Sequence, residues 1–294
     1  MINNRIAIIV DAEFLADPLN ILRLFEEALR TGMLIHPDAM RLVKSNLKLI
    51  DDTMRNTPEA QRIFLDLLLK HGNPERALRR MNELGVLGAF IPEFKPIVAM
   101  MQFNMYHSYT VDEHIIQTIM SLSEIENGDL VEDLPVATSI LKAGVNRRVL
   151  YVALLLHDIG KGREEDHSIL GAQIVRKVAP RLGLKQDEVD TVEWLVRYHL
   201  LMCVLTVCDI RGVGPNTWNN WKAVLIRALY RQTRTALEDG MEALNRENRG
   251  AEAKKTLRAA LADWPRKDVQ TETGRHYEPY WQGLHQTAHV VFAN

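Results

Sequence analysis

An apolar segment that ends in an adjacent histidine and aspartate is the strongest constraint on the fold of this chain. The segment reads Val-Ala-Leu-Leu-Leu-His-Asp-Ile-Gly-Lys-Gly and places His157 and Asp158 at the end of a predicted helix. Adjacent imidazole and carboxylate groups that close an apolar helix are unusual unless they hold a metal ion. The segment therefore predicts a helix that delivers two ligands to a metal centre.

Further residues with metal-ligating side chains lie on or beside other helix-forming stretches. The residues expected to hold a first ion are His114, His157, Asp158 and Asp209. Those expected to complete a second site are His167 and His199, with Asp158 as a bridge. Such nitrogen and oxygen donors suit one or two divalent cations, Mn²⁺ or Mg²⁺ foremost, with Fe²⁺ or Zn²⁺ as alternatives.

A site of this kind predicts hydrolysis of a phosphoester, because water held between two cations loses proton affinity and can attack phosphorus in line. Asp158 and Lys161 are the predicted catalytic residues, and Lys161 is placed to contact a phosphate oxygen or the leaving group. A solvated turn lysine is its alternative role. Arg163 and His107 are candidate substrate-binding residues, with a structural role as the alternative for His107. The candidates for a proton donor are Glu165 and Asp166, with a solvated acidic turn as the alternative.

Helix-start signals recur along the chain. Asp17-Pro18, Thr57-Pro58-Glu59 and Asn73-Pro74-Glu75 each precede apolar residues at helical spacing. β-like segments are confined to residues 5–10 and 288–292. A further helix is predicted to begin near Val111, and a polar connector over 124–133 follows it. The remaining predicted helices cover about 147–157, 168–182, 187–201, 222–238 and 252–262. These signals predict an all-α fold, a helical bundle with flanking helical segments.

Composition limits the classes of protein to which the chain can belong. Its 294 residues are 47% hydrophobic, which is ample for a buried core, and its net charge is −2. This charge offers no general electrostatic case for binding nucleic acid or an anionic membrane. Cys203 and Cys208 fit neither a zinc ribbon nor a secreted disulfide framework, so we expect them in the core of a cytoplasmic protein. No export signal or membrane-length apolar segment is present in the sequence.

The motifs resemble those of the HD-domain superfamily of metal-dependent phosphohydrolases, and within it the bifunctional uridylyltransferase/uridylyl-removing enzymes. The stretches that carry the resemblance are Met101–His114, Leu154–Gly162 with Asp166-His167, Leu195–His199 and Leu205–Pro215. It extends to Ala16–Phe25, Trp218–Lys222 and His276–Trp281. The resemblance implies an HD-domain helical bundle that hydrolyses the phosphodiester joining UMP to a tyrosine of uridylylated PII, a nitrogen-regulatory protein.

The resemblance also implies a division into an N-terminal helical region (1–100), an HD core (101–215) and a C-terminal helical extension (216–294). The family's nucleotidyltransferase domain would precede residue 1, and its glutamine-sensing ACT domains would follow residue 294. We therefore expect this chain to lack transferase activity and a response to glutamine. The family also carries a longer polar segment between Met202 and Cys203. A single helix from His199 to Asp209 would separate them by about 15 Å, so omission of that segment is the preferred explanation.

Two other functions remain open at the level of sequence. One is a hydrolase of free or cyclic nucleotides, with Trp218, Trp221 and the segment Tyr277–Trp281 as a base-stacking surface. The other is a non-catalytic helical scaffold that binds PII or transmits a signal between neighbouring domains. The identity and number of the metal ions and the oligomeric state are left undetermined.

Overall fold

The computed structural model describes residues 4–101, 108–199, 203–215, 217–239 and 246–274, with the backbone alone for 236–239 and 246–251. Helices dominate these residues, and the sheet found among them has two strands of two residues each. The all-α prediction is confirmed. None of the helices in the described ranges is long and apolar enough to cross a membrane.

A short parallel strand pair ties the start of the chain to the segment after its second helix. Strand β1 (Arg5–Ile6) pairs with β2 (Leu34–Ile35), and Arg5 lies opposite Leu34. The β-like segment predicted over residues 5–10 is therefore a strand only at its first two residues. A helix begins at Asp11, with two acidic residues in the first turn, where they complement the helix dipole. The β-like tail predicted over 288–292 lies outside the described residues.

The N-terminal part is a set of short helices that begin at capping residues. Thr57 accepts a hydrogen bond from the Ala60 amide, and Asp51 accepts one from the Met54 amide. Buried aromatic residues fill the space between these helices, with the ring centroids of Phe64 and Phe90 4.9 Å apart. The helices are α1 (Asp11–Ala16), α2 (Asn20–Thr31), α3 (Pro37–Ser45), α4 (Asp52–Arg55), α5 (Pro58–Leu69), α6 (Pro74–Glu83) and α7 (Val86–Phe90), with 3₁₀ segments at Leu47–Leu49 and Pro92–Ile97.

The central part is a bundle in which α8 packs against α6, α10 and α13, while α12 packs against α10 and α11. Its helices are α8 (Val111–Asn127), α9 (Pro135–Lys142), α10 (Arg147–Leu156), α11 (His167–Arg181), α12 (Gln186–Arg197) and α13 (Cys203–Val213). The predicted polar connector is partly wrong, because α8 continues to Asn127 and α9 follows it. The helix predicted over 187–201 is also shorter than expected, since α12 ends at Arg197 and not near residue 201.

The chain divides into two compact units, Met1–Ala223 and Val224–Asn294. The helices after α13 are α14 (Asn220–Asp239), α15 (Arg246–Ala260) and α16 (Arg266–Gly274). In the second unit, Ala253, Leu257 and Leu261 of α15 and the turn after it form a small core, and Val269 packs against it. Cys203 and Cys208 are free thiols of the first unit. Cys208 is buried as predicted, whereas Cys203 is only partly buried, so the core prediction is wrong for Cys203. The boundaries predicted at residues 100 and 215 stay predictions.

Candidate metal centre

Four side chains from three helical segments converge on one buried point. His114 lies in the first turn of α8, His157 is the residue that ends α10, and Asp209 projects from α13. Nε2 of His114 lies 3.0 Å from Oδ1 of Asp209, 3.2 Å from Nε2 of His157 and 3.3 Å from Oδ2 of Asp158. Nε2 of His157 lies 3.3 Å from the same Asp158 oxygen. The structure thus brings together all four residues predicted for the first ion.

The spacing of these donor atoms fits a first-row divalent cation. Ligand atoms held at about 2.0–2.2 Å from one ion are separated by about 3.0–3.4 Å along the edges of its coordination shell. The distances around His114 Nε2 fall in this range. Two imidazole nitrogens with two carboxylate oxygens form a donor set that such cations accept.

A second group of donors shares Asp158 with the first. Asp158 turns Oδ2 toward His114 and His157, while its Oδ1 lies 3.8 Å from Nε2 of His167. The rings of His167 and His199 are 5.7 Å apart between centroids. Ligand atoms of Asp158, His167 and His199 all lie within 4.8 Å of one another. Asp158 therefore belongs to both groups of donors, and its role as a bridge between two cations stays a prediction.

Main-chain carbonyl groups orient two of the imidazole rings. Nδ1 of His157 lies 2.7 Å from the carbonyl oxygen of Leu154, and Nδ1 of His199 lies 2.8 Å from that of Val196. A proton on Nδ1 is donated to the carbonyl, which leaves the lone pair of Nε2 free to bind a cation. Both rings thus point Nε2 into the centre.

The buried charges of the centre are strongly coupled. Burial on its own would lower the pKa of His157, but the carboxylates of Asp158 and Asp209 outweigh it and raise that pKa to about 10. Burial would likewise raise the pKa of Asp158, yet His157 and His114 hold it well below its usual range. The His157 ring is therefore protonated at neutral pH unless a cation takes the place of the proton.

Lys161 lies at the edge of this centre. Its Nζ is 2.6 Å from Oδ2 of Asp158, one turn along the chain from the carboxylate. The sequence placed Lys161 beside the metal pair but did not predict this ion pair. Arg163 is exposed on the turn that follows, and His107 lies outside the described residues.

The role considered for Asp166 as a proton donor is not supported by its contacts. Its carboxylate caps α11 by accepting hydrogen bonds from the amides of Ser168 and Ile169. These backbone hydrogen bonds lower the pKa of Asp166, so the group is ionised at neutral pH. It positions the first turn of the helix that carries His167. Glu165 is exposed on the turn before it.

Glycines allow the helices of the centre to approach one another closely, which sequence reasoning missed. A Cβ atom on Gly212 of α13 would lie 2.6 Å from the Thr118 side chain and 3.1 Å from Nδ1 of His114. A Cβ atom on Gly160 would lie 2.3 Å from the carbonyl oxygen of His167. These contacts bring α13 and α11 against the segments that carry the other ligands. The sequence signal for this close approach was the presence of a glycine near a candidate ligand.

The short connection between His199 and Asp209 does not prevent their meeting in one centre. The two residues belong to separate helical segments, because α12 has ended before His199 and α13 begins at Cys203. The Thr206 hydroxyl donates a hydrogen bond to the carbonyl oxygen of His199, which ties the start of α13 to the end of the α12 segment. The condition for a separation of about 15 Å, one continuous helix from His199 to Asp209, is therefore not met. Asp209 reaches His114 within the present sequence.

Two known protein families match separate parts of the chain. The sequence profile of the HD domain matches residues 111–262, more than half of the chain. The chain belongs to the HD-domain family. Residues 1–90 match a second profile, the third domain of the uridylyltransferase GlnD.

Two curated bacterial proteins are similar to the whole chain. Both are bifunctional uridylyltransferase/uridylyl-removing enzymes, one from Ruegeria pomeroyi at 68% identity and one from Cereibacter sphaeroides at 62% identity. The alignments cover 100% of this chain but 36% and 35% of the two relatives, so the chain spans about a third of their length. They run over 324 positions, 30 more than the 294 residues of the chain. The location of those additional residues between Met202 and Cys203 stays a prediction.

Proposed function

We propose that this chain is a metal-dependent phosphodiester hydrolase that removes UMP from uridylylated PII. The observation that carries the proposal is the convergence of His114, His157, Asp158 and Asp209 at ligand spacing. The relatives named as uridylyl-removing enzymes support the choice of substrate. Family membership supports the reaction class. The domain division that goes with this proposal is the one predicted from sequence, with the HD core over 101–215.

The donor set supports one or two resident divalent cations. His114, His157, Asp158 and Asp209 would hold the first, and Asp158, His167 and His199 would hold the second. Bound there, such cations supply a water molecule of lowered pKa and neutralise phosphoryl oxygens. Among the candidates we favour Mn²⁺ over Mg²⁺, because imidazole donors make up more than half of this set and Mg²⁺ prefers oxygen ligands.

The residues around the centre have separable tasks in this proposal. Asp158 holds both groups of ligands in register, because each of its oxygens faces one of them. The ammonium group of Lys161 sits beside that carboxylate and is partly exposed, so it can donate hydrogen bonds to a phosphoryl oxygen of an incoming diester. His167, with a third of its side chain exposed, lies on the open side of the centre. Substrate therefore enters past His167 and Lys161.

The test begins with metal content of the purified chain, followed by release of UMP from uridylylated PII with added Mn²⁺ or Mg²⁺. We expect bound metal and release of UMP in the wild type. The double variant His157→Ala/Asp158→Ala should lose both while keeping its helical circular dichroism spectrum. His71→Ala, outside both ligand groups, is the matched histidine control. Metal without UMP release would redirect the search to free or cyclic nucleotides, and absence of metal would favour the scaffold.

A further inference from the structure

A methionine side chain fills the space beside the turn that carries Lys161. Gly162 follows Lys161 with a φ of 79°, in the left-handed region that favours glycine. A Cβ atom on Gly162 would overlap Cε of Met100 and lie 2.9 Å from its Sδ. The thioether of Met100 therefore lies against the main chain of Gly162, one residue from Lys161.

The main chain of Met100 is held at both of its hydrogen-bonding groups. Its N–H donates to the carbonyl oxygen of Ile97 at 3.3 Å, and its carbonyl oxygen accepts from the Val111 amide at 2.9 Å. Val111 is the first residue of α8, the helix that carries His114. Ala99 has a φ of 55°, a left-handed conformation that is uncommon for residues other than glycine. Such a conformation persists where the surrounding structure fixes it, often beside a functional site.

The residues that follow Gly162 give the turn no comparable support. Residues 163–165 are exposed, and their main chains make no hydrogen bond to another main chain in the described ranges. At the start of the turn, the Lys161 amide donates a hydrogen bond to the carbonyl oxygen of Asp158 at 3.0 Å. The contact with Met100 therefore restrains the end of the turn that its own main-chain hydrogen bonds leave free.

We propose that Met100 is a positioning residue for Lys161. Its thioether holds the turn so that the Lys161 ammonium group stays beside Oδ2 of Asp158, 2.6 Å away, and meets an incoming phosphoryl oxygen there. The proposal rests on the function proposed above and deepens it, because Met100 lies outside both ligand groups and acts on the reaction through Lys161. A thioether suits this task, since it fills an irregular space and adds no charge that would compete for Asp158.

The first test follows hydrolysis of bis(p-nitrophenyl) phosphate, a small diester. We expect Met100→Ala to lower kcat about tenfold, with KM within about twofold of wild type and metal content unchanged, because a displaced donor is lost mainly from the transition state. Met100→Leu keeps most of the volume and should bring kcat back to within about threefold of wild type. Met40→Ala is the matched control, because Met40 is also partly buried but belongs to α3, outside both ligand groups. Its kcat should stay normal.

The same substitution in a Lys161→Ala protein separates positioning from a general structural role. If Met100 acts through Lys161, Met100→Ala should lower kcat no further once the ammonium group is absent. An equal loss of kcat in both backgrounds would overturn the proposal. A normal kcat in Met100→Ala alone would overturn it as well.

Tryptic cleavage after Lys161 tests the same contact without catalysis. Cleavage there requires the turn to leave its folded position, so the rate reports how firmly the turn is held. Followed by mass spectrometry, it should be at least about threefold faster in Met100→Ala than in wild type and near the wild-type rate in Met100→Leu. If the wild type hydrolyses neither uridylylated PII nor the small diester, the proposed function fails. Faster cleavage in Met100→Ala would then still uphold the placement of the turn by Met100, and an unchanged rate would reject it.

Discussion

At the scale of single residues, the centre holds a proton on the His157 ring that a bound cation would displace. The His157 ring, with its pKa raised to about 10, lies between two carboxylates that burial alone would neutralise. Protonated imidazole and bound metal are mutually exclusive at the same nitrogen. Affinity for metal and the protonation of the site are therefore linked.

This linkage predicts that metal binding releases protons between pH 6 and 8. The folded-state pKa of His157 lies above this range, so the ring is protonated before the cation binds and must lose its proton on binding. Affinity should rise about tenfold per pH unit for each proton displaced. Calorimetric titration of Mn²⁺ in buffers of different ionisation enthalpy measures the number of protons released. An affinity independent of pH would contradict the prediction.

Lys161 provides a second prediction at this scale. We expect Lys161→Ala to slow hydrolysis on the order of 10²-fold, because one charged donor to the phosphoryl group is lost. Metal content should persist, since Lys161 contributes no ligand atom to either group. Steady-state rates and elemental analysis of one preparation measure both quantities. Lys177→Ala, on the exposed face of α11, is the control; equal rates for the two variants would assign Lys161 a solvated role.

The individual residues of the centre are the feature of this chain that is most predictable from sequence. All six predicted ligand residues lie in two overlapping groups, because histidine and aspartate at the ends of apolar segments report their chemistry directly. Their role as ligands stays a prediction. The ion pair of Lys161 with Asp158 could not be predicted, since it depends on how the turn after α10 folds back.

At the scale of elements, the centre depends on how closely α13 approaches α8. Gly212 permits this approach, because any larger side chain would meet Thr118 and His114. Such contact distances are a property of packed helices and leave little trace in a sequence. The helices α9 and α7 also leave little trace in the sequence, because each has too few apolar residues to show a distinct helical periodicity.

Gly212→Ala should therefore weaken metal binding and destabilise the fold together. The added Cβ atom would lie 2.6 Å from Thr118, so the two helices must separate, and overpacking of this kind costs about 1–3 kcal/mol. Denaturant titration measures the free energy of unfolding, and calorimetry measures the affinity for Mn²⁺. Gly274→Ala is the matched control, because its Cβ atom would meet nothing within 4 Å. A Gly212→Ala protein with unchanged metal affinity would show that the helix spacing is not limiting.

At the scale of the whole molecule, the two compact units should respond differently to metal. Every candidate ligand belongs to the unit Met1–Ala223. A ligand at one hundred times its dissociation constant stabilises the state that binds it by about 2.7 kcal/mol. The second unit, with its own small core in α15 and α16, gains nothing from that term.

We therefore expect Mn²⁺ to slow hydrogen exchange in α8, α10 and α13 and to leave residues 252–274 unchanged. Exchange followed by mass spectrometry measures each segment separately. In the His157→Ala/Asp158→Ala protein, addition of Mn²⁺ should slow hydrogen exchange in none of these segments. Equal protection of both units would mean that they unfold as one.

The carbonyl contacts of His157 and His199 bear on how such a centre can be inherited or transplanted. Each ring takes its direction from a main-chain oxygen three residues earlier, and main-chain oxygens are present whatever the side chain. Substitution of distant side chains therefore leaves the hydrogen bond that orients each ring in place. A designer could move one of these helical ends to another scaffold and carry the aim of the imidazole with it.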